Sequence, residues 1–230
     1  MKLRIQFSKY GAMKFIGHLD TMRFFQKAFR RSGIDISYST GFSPHQIMAF
    51  AAPLGVGLES DSEYLDIEVG SITSTDDMLM KLNNTMTEGF RIIDIRLLPD
   101  NAGNAMASVQ GASYRVYFRE DRYPTFDLYE AVDRFNKAEA VLIIKQSKKS
   151  EIELDLKPSV YELTTDGKSL YMKVDASSAG NIKPDLLTKA LYNFYNQEIP
   201  LNALMITRLE TYGRNSNNEL VPLIEFGEKF

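Results

Sequence analysis

Apolar and polar residues alternate at the start of the chain, with Leu3, Ile5 and Phe7 set against Lys2, Arg4 and Gln6. A period of two predicts a half-buried strand. The period then lengthens. Leu19, Met22, Phe25 and Phe29 recur at helical spacing, Asp20 sits in the first turn, and Gly33 stands where a C-terminal cap belongs, so a helix is expected over 18–31. Residues 35–39 read as a short strand. Residues 47–58 form an apolar stretch broken by Pro53, Gly55 and Gly57, which predicts a bent strand. Leu65, Ile67 and Val69 alternate with Asp66 and Glu68 in a further strand. Ser74 or Thr75 caps a helix over Met78, Leu79, Leu82 and Met86, and 90–98 completes the set. The order β-α-β-β-α-β suits a ferredoxin-like α+β fold.

Small and polar residues fill 99–111, and the order then recurs. Strands are expected at 113–119, 140–146, 151–156, 159–164, 169–174 and 204–212, with helices at 126–137 and from Lys183-Pro184 to Phe194 and a hairpin turn at Asp166-Gly167. The expectation is two tandem ferredoxin-like halves, 1–100 and 113–230, joined by a linker at 101–112, with the second half embellished.

Composition narrows the chemistry. The 230 residues include no Cys, which excludes disulfides, thiolate zinc sites, thiolate-held iron–sulfur clusters and a Cys nucleophile. No apolar run is long enough to span a bilayer, and the N-terminus lacks the apolar core of a signal peptide, so a cytoplasmic, non-membrane chain is expected. The net charge of −3 is unevenly spread. Residues 1–50 hold eight Lys/Arg against Asp20 and Asp35, whereas 51–104 are strongly acidic. A basic segment on an acidic chain points to a local anionic partner.

Arg23, Lys27, Arg30 and Arg31 fall opposite the apolar stripe of the first helix, where cations can meet successive phosphates. Lys9, Lys14, Tyr38, Phe42, Ser43 and His45 are expected beside them, with Tyr10 also near. Cations with aromatic rings suit single-stranded RNA, such as tRNA or rRNA segments. The chain's two histidines, His18 and His45, each end a loop. With Lys14 or Tyr38 they are candidates for acid–base work on an RNA 2′-hydroxyl, against the plainer reading of a helix start and a loop hydrogen bond. No metal site is expected. Glu59, Asp61 and Glu63 read as a solvated acidic turn. Lys145, Lys148, Lys149 and Lys157 form a second basic cluster that reads as surface. No phosphate-binding glycine motif or other self-sufficient catalytic signature is present.

The segments Phe15-Ile-Gly-His-Leu-Asp20, Phe29-Arg-Arg-Ser-Gly33, Tyr38-Ser-Thr-Gly-Phe-Ser-Pro-His45 and Pro53-Leu-Gly-Val-Gly57 through Glu63-Tyr-Leu-Asp66 resemble the bacterial radical-SAM-linked proteins, a domain of unknown function. Asp155-Leu-Lys-Pro-Ser159 and the helix start Lys183-Pro-Asp-Leu-Leu187 extend the resemblance into the second half. Ser43 and Gln46 depart from it, standing where Asn and an Arg-like residue are expected. The resemblance implies a partner radical SAM enzyme that carries the iron–sulfur cluster and S-adenosylmethionine, with no cofactor in this chain. It implies an accessory, RNA-binding or substrate-presenting role rather than an enzyme in its own right. The alternatives are a metal-independent endoribonuclease-like or RNA-modifying enzyme using His18 and His45, and a protein–protein adaptor using the acidic 59–68 region and the Met-containing helix. Tandem ferredoxin-like halves are also similar in architecture to CRISPR-repeat-processing endoribonucleases. Their glycine-rich loop is missing here, since Thr211-Tyr-Gly-Arg-Asn-Ser216 has one glycine.

Overall fold

The computed structural model describes residues 1–146 and 151–230. It is a mixed α+β structure whose contacts cluster into two compact units, Met1–Gln110 with Arg208–Phe230, and Gly111–Thr207. The division falls inside the expected 101–112 linker. The final segment, expected in the second half, groups with the first unit.

The first unit contains β1 (Lys2–Lys9), α1 (His18–Ser32), β2 (Met48–Phe50), β3 (Glu59–Glu68), α2 (Thr75–Asn83), β4 (Phe90–Leu97) and the short α3 (Ala105–Ser108). β1 pairs antiparallel with β3 on one side and β4 on the other, and β2 pairs antiparallel with β3. Leu3, Ile5, Phe7, Leu65, Ile67, Ile92 and Ile95 form the covered face, packed with Phe25 and Phe29 of α1 and Met78 and Leu82 of α2. Ser74 caps α2 by accepting from the Asp77 N–H. Asn83 closes the other end of that helix onto the outer strand. Its side chain donates to the Ile92 carbonyl (3.0 Å) and accepts from the Ile92 N–H (2.9 Å), occupying edge groups that would otherwise be open to another strand.

Four local expectations change. Residues 35–39 form only isolated bridges, Ile36 to Val69 and Tyr38 to Gln46, because the chain turns back at once through the Ser39–His45 loop. The bent strand shrinks to Met48–Phe50, since Pro53 has no N–H for a ladder. β3 instead begins five residues earlier than expected, at Glu59 rather than Tyr64. Its polar residues Ser60, Ser62 and Glu63 are buried with hydrogen-bonding partners, so the acids there are not all a solvated turn. The expected linker also carries structure, with Ala105 and Val109 buried and the next strand starting at Gly111.

The second unit contains β5 (Gly111–Phe118), α4 (Leu128–Lys137), β6 (Leu142–Gln146), β7 (Glu151–Asp155), β8 (Val160–Thr165), β9 (Ser169–Asp175), α5 (Pro184–Asn193) and the start of β10 (Leu204–Arg214). β9 lies between β5 and β8, antiparallel to both, and the opening residues of β10 run beside β5. β6 and β7 form a separate hairpin. Asp127 caps α4 through the Tyr129 and Glu130 N–H groups. Phe135, Val116, Leu163, Leu170, Met172, Leu187 and Leu191 lie in this unit's own core. Of the expected basic cluster at 145–157, Lys148 and Lys149 lie outside the described residues. Lys157 is engaged with the carbonyls of Phe135 and Asn136.

The end of β10 belongs to the first unit, where β11 (Leu220–Pro222) pairs with it. Arg4 receives this returning segment. It is bound through two nitrogens to both oxygens of Asp66 at 2.8 Å, and it donates to the Leu223 carbonyl at 3.0 Å.

Candidate nucleic-acid interface

α1 organises the basic surface. Thr21, Phe25, Ala28 and Phe29 are its buried residues. Leu19, expected in the same stripe, is 60% exposed. At about 100° per residue it stands roughly 120° around the helix from Phe25 and only about 20° from Arg30, on the exposed face. The same arithmetic sets Arg23, Lys27 and Arg30 opposite the core, and all three are exposed. Gly33 ends the helix at φ 70°, a conformation free of Cβ strain, and Arg30 and Arg31 lie in the last turn near the negative helix end. Arg23 forms an exposed ion pair with Asp20 (3.1 Å), and Arg31 donates to the Thr85 carbonyl (3.0 Å). Among the described residues no acidic side chain pairs with Lys27 or Arg30.

A hairpin loop leans on this helix. The Tyr38–Gln46 bridge closes it, with the Ser39 N–H donating to the His45 carbonyl (2.8 Å) and the His45 N–H to Ser39 Oγ (3.1 Å). The His45 ring completes the closure, with Nδ1 2.8 Å from Ser39 Oγ. Gln46 is buried and donates to the Gln26 carbonyl of α1 at 3.3 Å, which ties the loop to the helix. Gly41 takes φ 116°, and at the tip Phe42 is fully exposed, at 112% of its reference area. Tyr38, Ser43 and His45 are exposed as well.

The other expected anion-binding residues lie elsewhere. Lys9 is not on this surface. It is 3% exposed, donates to the Ile16 carbonyl at 3.0 Å, and burial lowers its pKa against the opposing pull of Glu63. Lys14 is ion-paired with Glu59 at 3.0 Å. His18 packs edge-on against Phe50, with ring centroids 5.0 Å apart. With Phe7, Lys9, Thr21 and Glu63, it lines a cavity of about 10 Å³, room for at most one water. Tyr38 and His45 therefore share the hairpin, whereas His18 and Lys14 belong to the 11–18 segment. No described contact joins one pair to the other. Tyr10 lines a separate open groove of about 620 Å³ with Ser8, Asp61, Arg91 and Ile93, where burial raises the Asp61 pKa.

Two residues outside the expected set, Glu63 and Arg208, form a second buried ion pair of the first unit, beside that of Arg4 and Asp66. Arg208 Nη1 lies 2.9 and 3.1 Å from the Glu63 oxygens and donates to the Ala52 carbonyl at 2.7 Å. Burial raises the Glu63 pKa, while Arg208, the Ser60 hydrogen bond and Lys9 act in the opposite direction. Alternation could have found half of this cluster. Lys9 continues the series Leu3, Ile5, Phe7, and Glu63 precedes Leu65 and Ile67, so both point inward. Nothing local marks Arg208. Among the described residues no group of three or more potential metal ligands comes together, and no helix is long and apolar enough to cross a membrane.

A fold of this kind, with a basic helix and a projecting aromatic loop, defines a class rather than an activity. The family model described as an uncharacterized protein conserved in bacteria (DUF2344) matches residues 2–184, and the chain belongs to that family. No curated protein matches it significantly.

Proposed function

We propose that this chain is an accessory module that grips RNA and presents it to a partner radical SAM enzyme in the bacterial cytoplasm. The observation that supports the RNA reading is the row Arg23, Lys27 and Arg30, exposed along α1 beside the hairpin that carries Phe42. Cations in a row neutralise successive phosphates and release condensed counterions, which supplies most sequence-independent affinity. The partner rests on the motif resemblance alone, and the absence of Cys leaves any thiolate-held cluster to that partner. The nuclease alternative gains no support from the separate surroundings of His18 and His45. We further read both units as ferredoxin-like. The strand orders β4-β1-β3-β2 in the first and β10-β5-β9-β8 in the second support this.

The test is purification of the tagged chain from its native cells, with sequencing of bound RNA and mass spectrometry of bound protein. Enrichment of tRNA or rRNA fragments together with a radical SAM enzyme is expected. Recovery of the enzyme without RNA would replace the RNA reading with an adaptor role.

A further inference from the structure

Phe42 has no place in the packing of the first unit. A fully exposed phenyl ring forgoes the stabilisation that burial of an apolar side chain supplies. A single exposed apolar side chain is ordinary on a protein surface. Here, however, the ring is held out by a closed loop rather than lying against the surface. Ser39 and His45 lock the base of the loop through two backbone-centred hydrogen bonds and a side-chain contact, and Gln46 fastens it to α1. The Ser39–His45 contact engages Nδ1 of the exposed His45 ring, so Nε2 is the nitrogen left for a ligand. Tyr38, 48% exposed, adds a second ring at the root of the same hairpin.

We infer that the hairpin is a stacking finger for single-stranded RNA, with an unpaired base lying on Phe42 while its flanking phosphates meet Arg23, Lys27 and Arg30. This deepens, and rests on, the RNA reading of the same surface. The charge of α1 selects a polyanion. The finger then selects among polyanions, because bases in a duplex have both faces occupied and cannot reach a protruding ring. Stacking on an aromatic side chain tolerates any base, so discrimination is between unpaired and paired RNA rather than among sequences. His45 Nε2 and Ser43 Oγ stand near enough in the chain to offer hydrogen bonds to a base edge or a 2′-hydroxyl, the group that separates RNA from DNA.

The chain contains no Trp, so Phe42→Trp makes a sole indole reporter at the tip. The full-length variant is titrated with a 12-nucleotide single-stranded RNA and with the corresponding duplex. The single strand should quench the indole emission on saturation, and the duplex should leave it unchanged. In parallel, Phe42→Ala should weaken single-strand binding about 5- to 150-fold, the equivalent of the roughly 1–3 kcal/mol that stacking one base contributes. Duplex affinity should hold. Because the tip makes no core contact, circular dichroism should show an unchanged fold. If single strand and duplex bind equally and Phe42→Ala alters neither, the finger is overturned while RNA binding stands. If neither RNA binds, both readings fall. A blue shift of the indole on adding a partner protein instead of RNA would assign the finger to a protein groove and overturn the inference.

Discussion

Glu63 and Arg208 meet across 145 positions of the chain, with one guanidinium nitrogen within 3.1 Å of both carboxylate oxygens and both side chains almost fully buried. The contact fastens the returning C-terminal segment to β3, one strand of the first unit's sheet. A second set of bonds supports it. Ser62 and Tyr64 both donate to the Glu210 carboxylate at 2.8 Å, and Gln6 donates to Ser62 at 2.8 Å. Burial raises the Glu210 pKa, with the Thr211 N–H and the Tyr64 and Ser62 hydroxyls opposing it.

Breaking the ion pair from one side should be costly. Arg208→Met leaves Glu63 buried with only Lys9 and Ser60 to answer its charge, and should lose about 3–5 kcal/mol of stability. The double variant Glu63→Met/Arg208→Met removes both charges and should recover most of that loss. Urea unfolding of the two single variants and the double gives the coupling directly. Simple additivity of the two single losses would show that the pair does not act as a unit.

Much of this architecture was legible in the sequence, and the reason is local. The helical spacing of Phe25 and Phe29, the Gly33 cap, the Ser74 cap and the Asp166-Gly167 turn are short-range signals, and each element they mark is present. The candidate site was less legible because charge and period point in different directions there. The charge of Lys9 suits a surface position, whereas its alternation with Phe7 sets it inward, and it is buried. Arg4 alternates with Leu3 and Ile5 and so stands on the opposite face of the strand. It is buried because the segment around Leu223 covers that face, a tertiary event that no local pattern encodes. His18 and His45 looked alike as loop-end histidines, yet they stand in different surroundings, and only the fold separates them.

The hairpin turn of the second unit should report on pH. The Asp166 carboxyl is held at about 2, chiefly by the Lys168 N–H and further by the Ser169 N–H and hydroxyl and by Tyr171. A carboxylate depressed below its ordinary value of 3.8 stabilises the folded state fully above that value. The contribution is lost as pH falls from about 4 towards 2. NMR titration of the Asp166 carboxyl should therefore give a midpoint clearly below the ordinary value of 3.8. Asp166→Asn should flatten the acid limb of the stability curve, and a normal midpoint would remove the basis for this expectation.

Gly89 should not tolerate a side chain. Its φ is 93°, and a Cβ would lie 2.6 Å from the Tyr10 carbonyl oxygen, a backbone atom that accepts the Met13 N–H. Gly89→Ala should cost about 1–3 kcal/mol and lower the melting temperature. Gly103→Ala, with open space and no positive φ, should stay within about 0.5 kcal/mol of the parent. Equal melting temperatures for the two variants would contradict a strained backbone at Gly89, in the connection from α2 to β4.

The buried position of Lys9 and the exposed positions of Lys27 and Arg30 make opposite predictions for RNA binding. For a single strand, the logarithm of affinity falls with the logarithm of salt concentration at about 0.7 per phosphate neutralised. Replacing Lys27 and Arg30 by Gln removes two cations from the exposed row, so the slope should become shallower by about 1.4. Gln is nearly as good a helix former as Lys or Arg, and the substitutions face solvent, so α1 should persist with little change in melting temperature. Lys9→Met should leave the slope unchanged, because a side chain bonded to the Ile16 carbonyl beneath α1 meets no phosphate. It should instead shift stability, since Glu63 loses one of its two neighbouring cations. Fluorescence anisotropy with a labelled 12-nucleotide RNA, at four or more salt concentrations, measures both slopes. A slope that changes with Lys9 and not with Lys27 and Arg30 would move the anion site from α1 to the 9–18 segment. It would also return His18 to consideration as part of it.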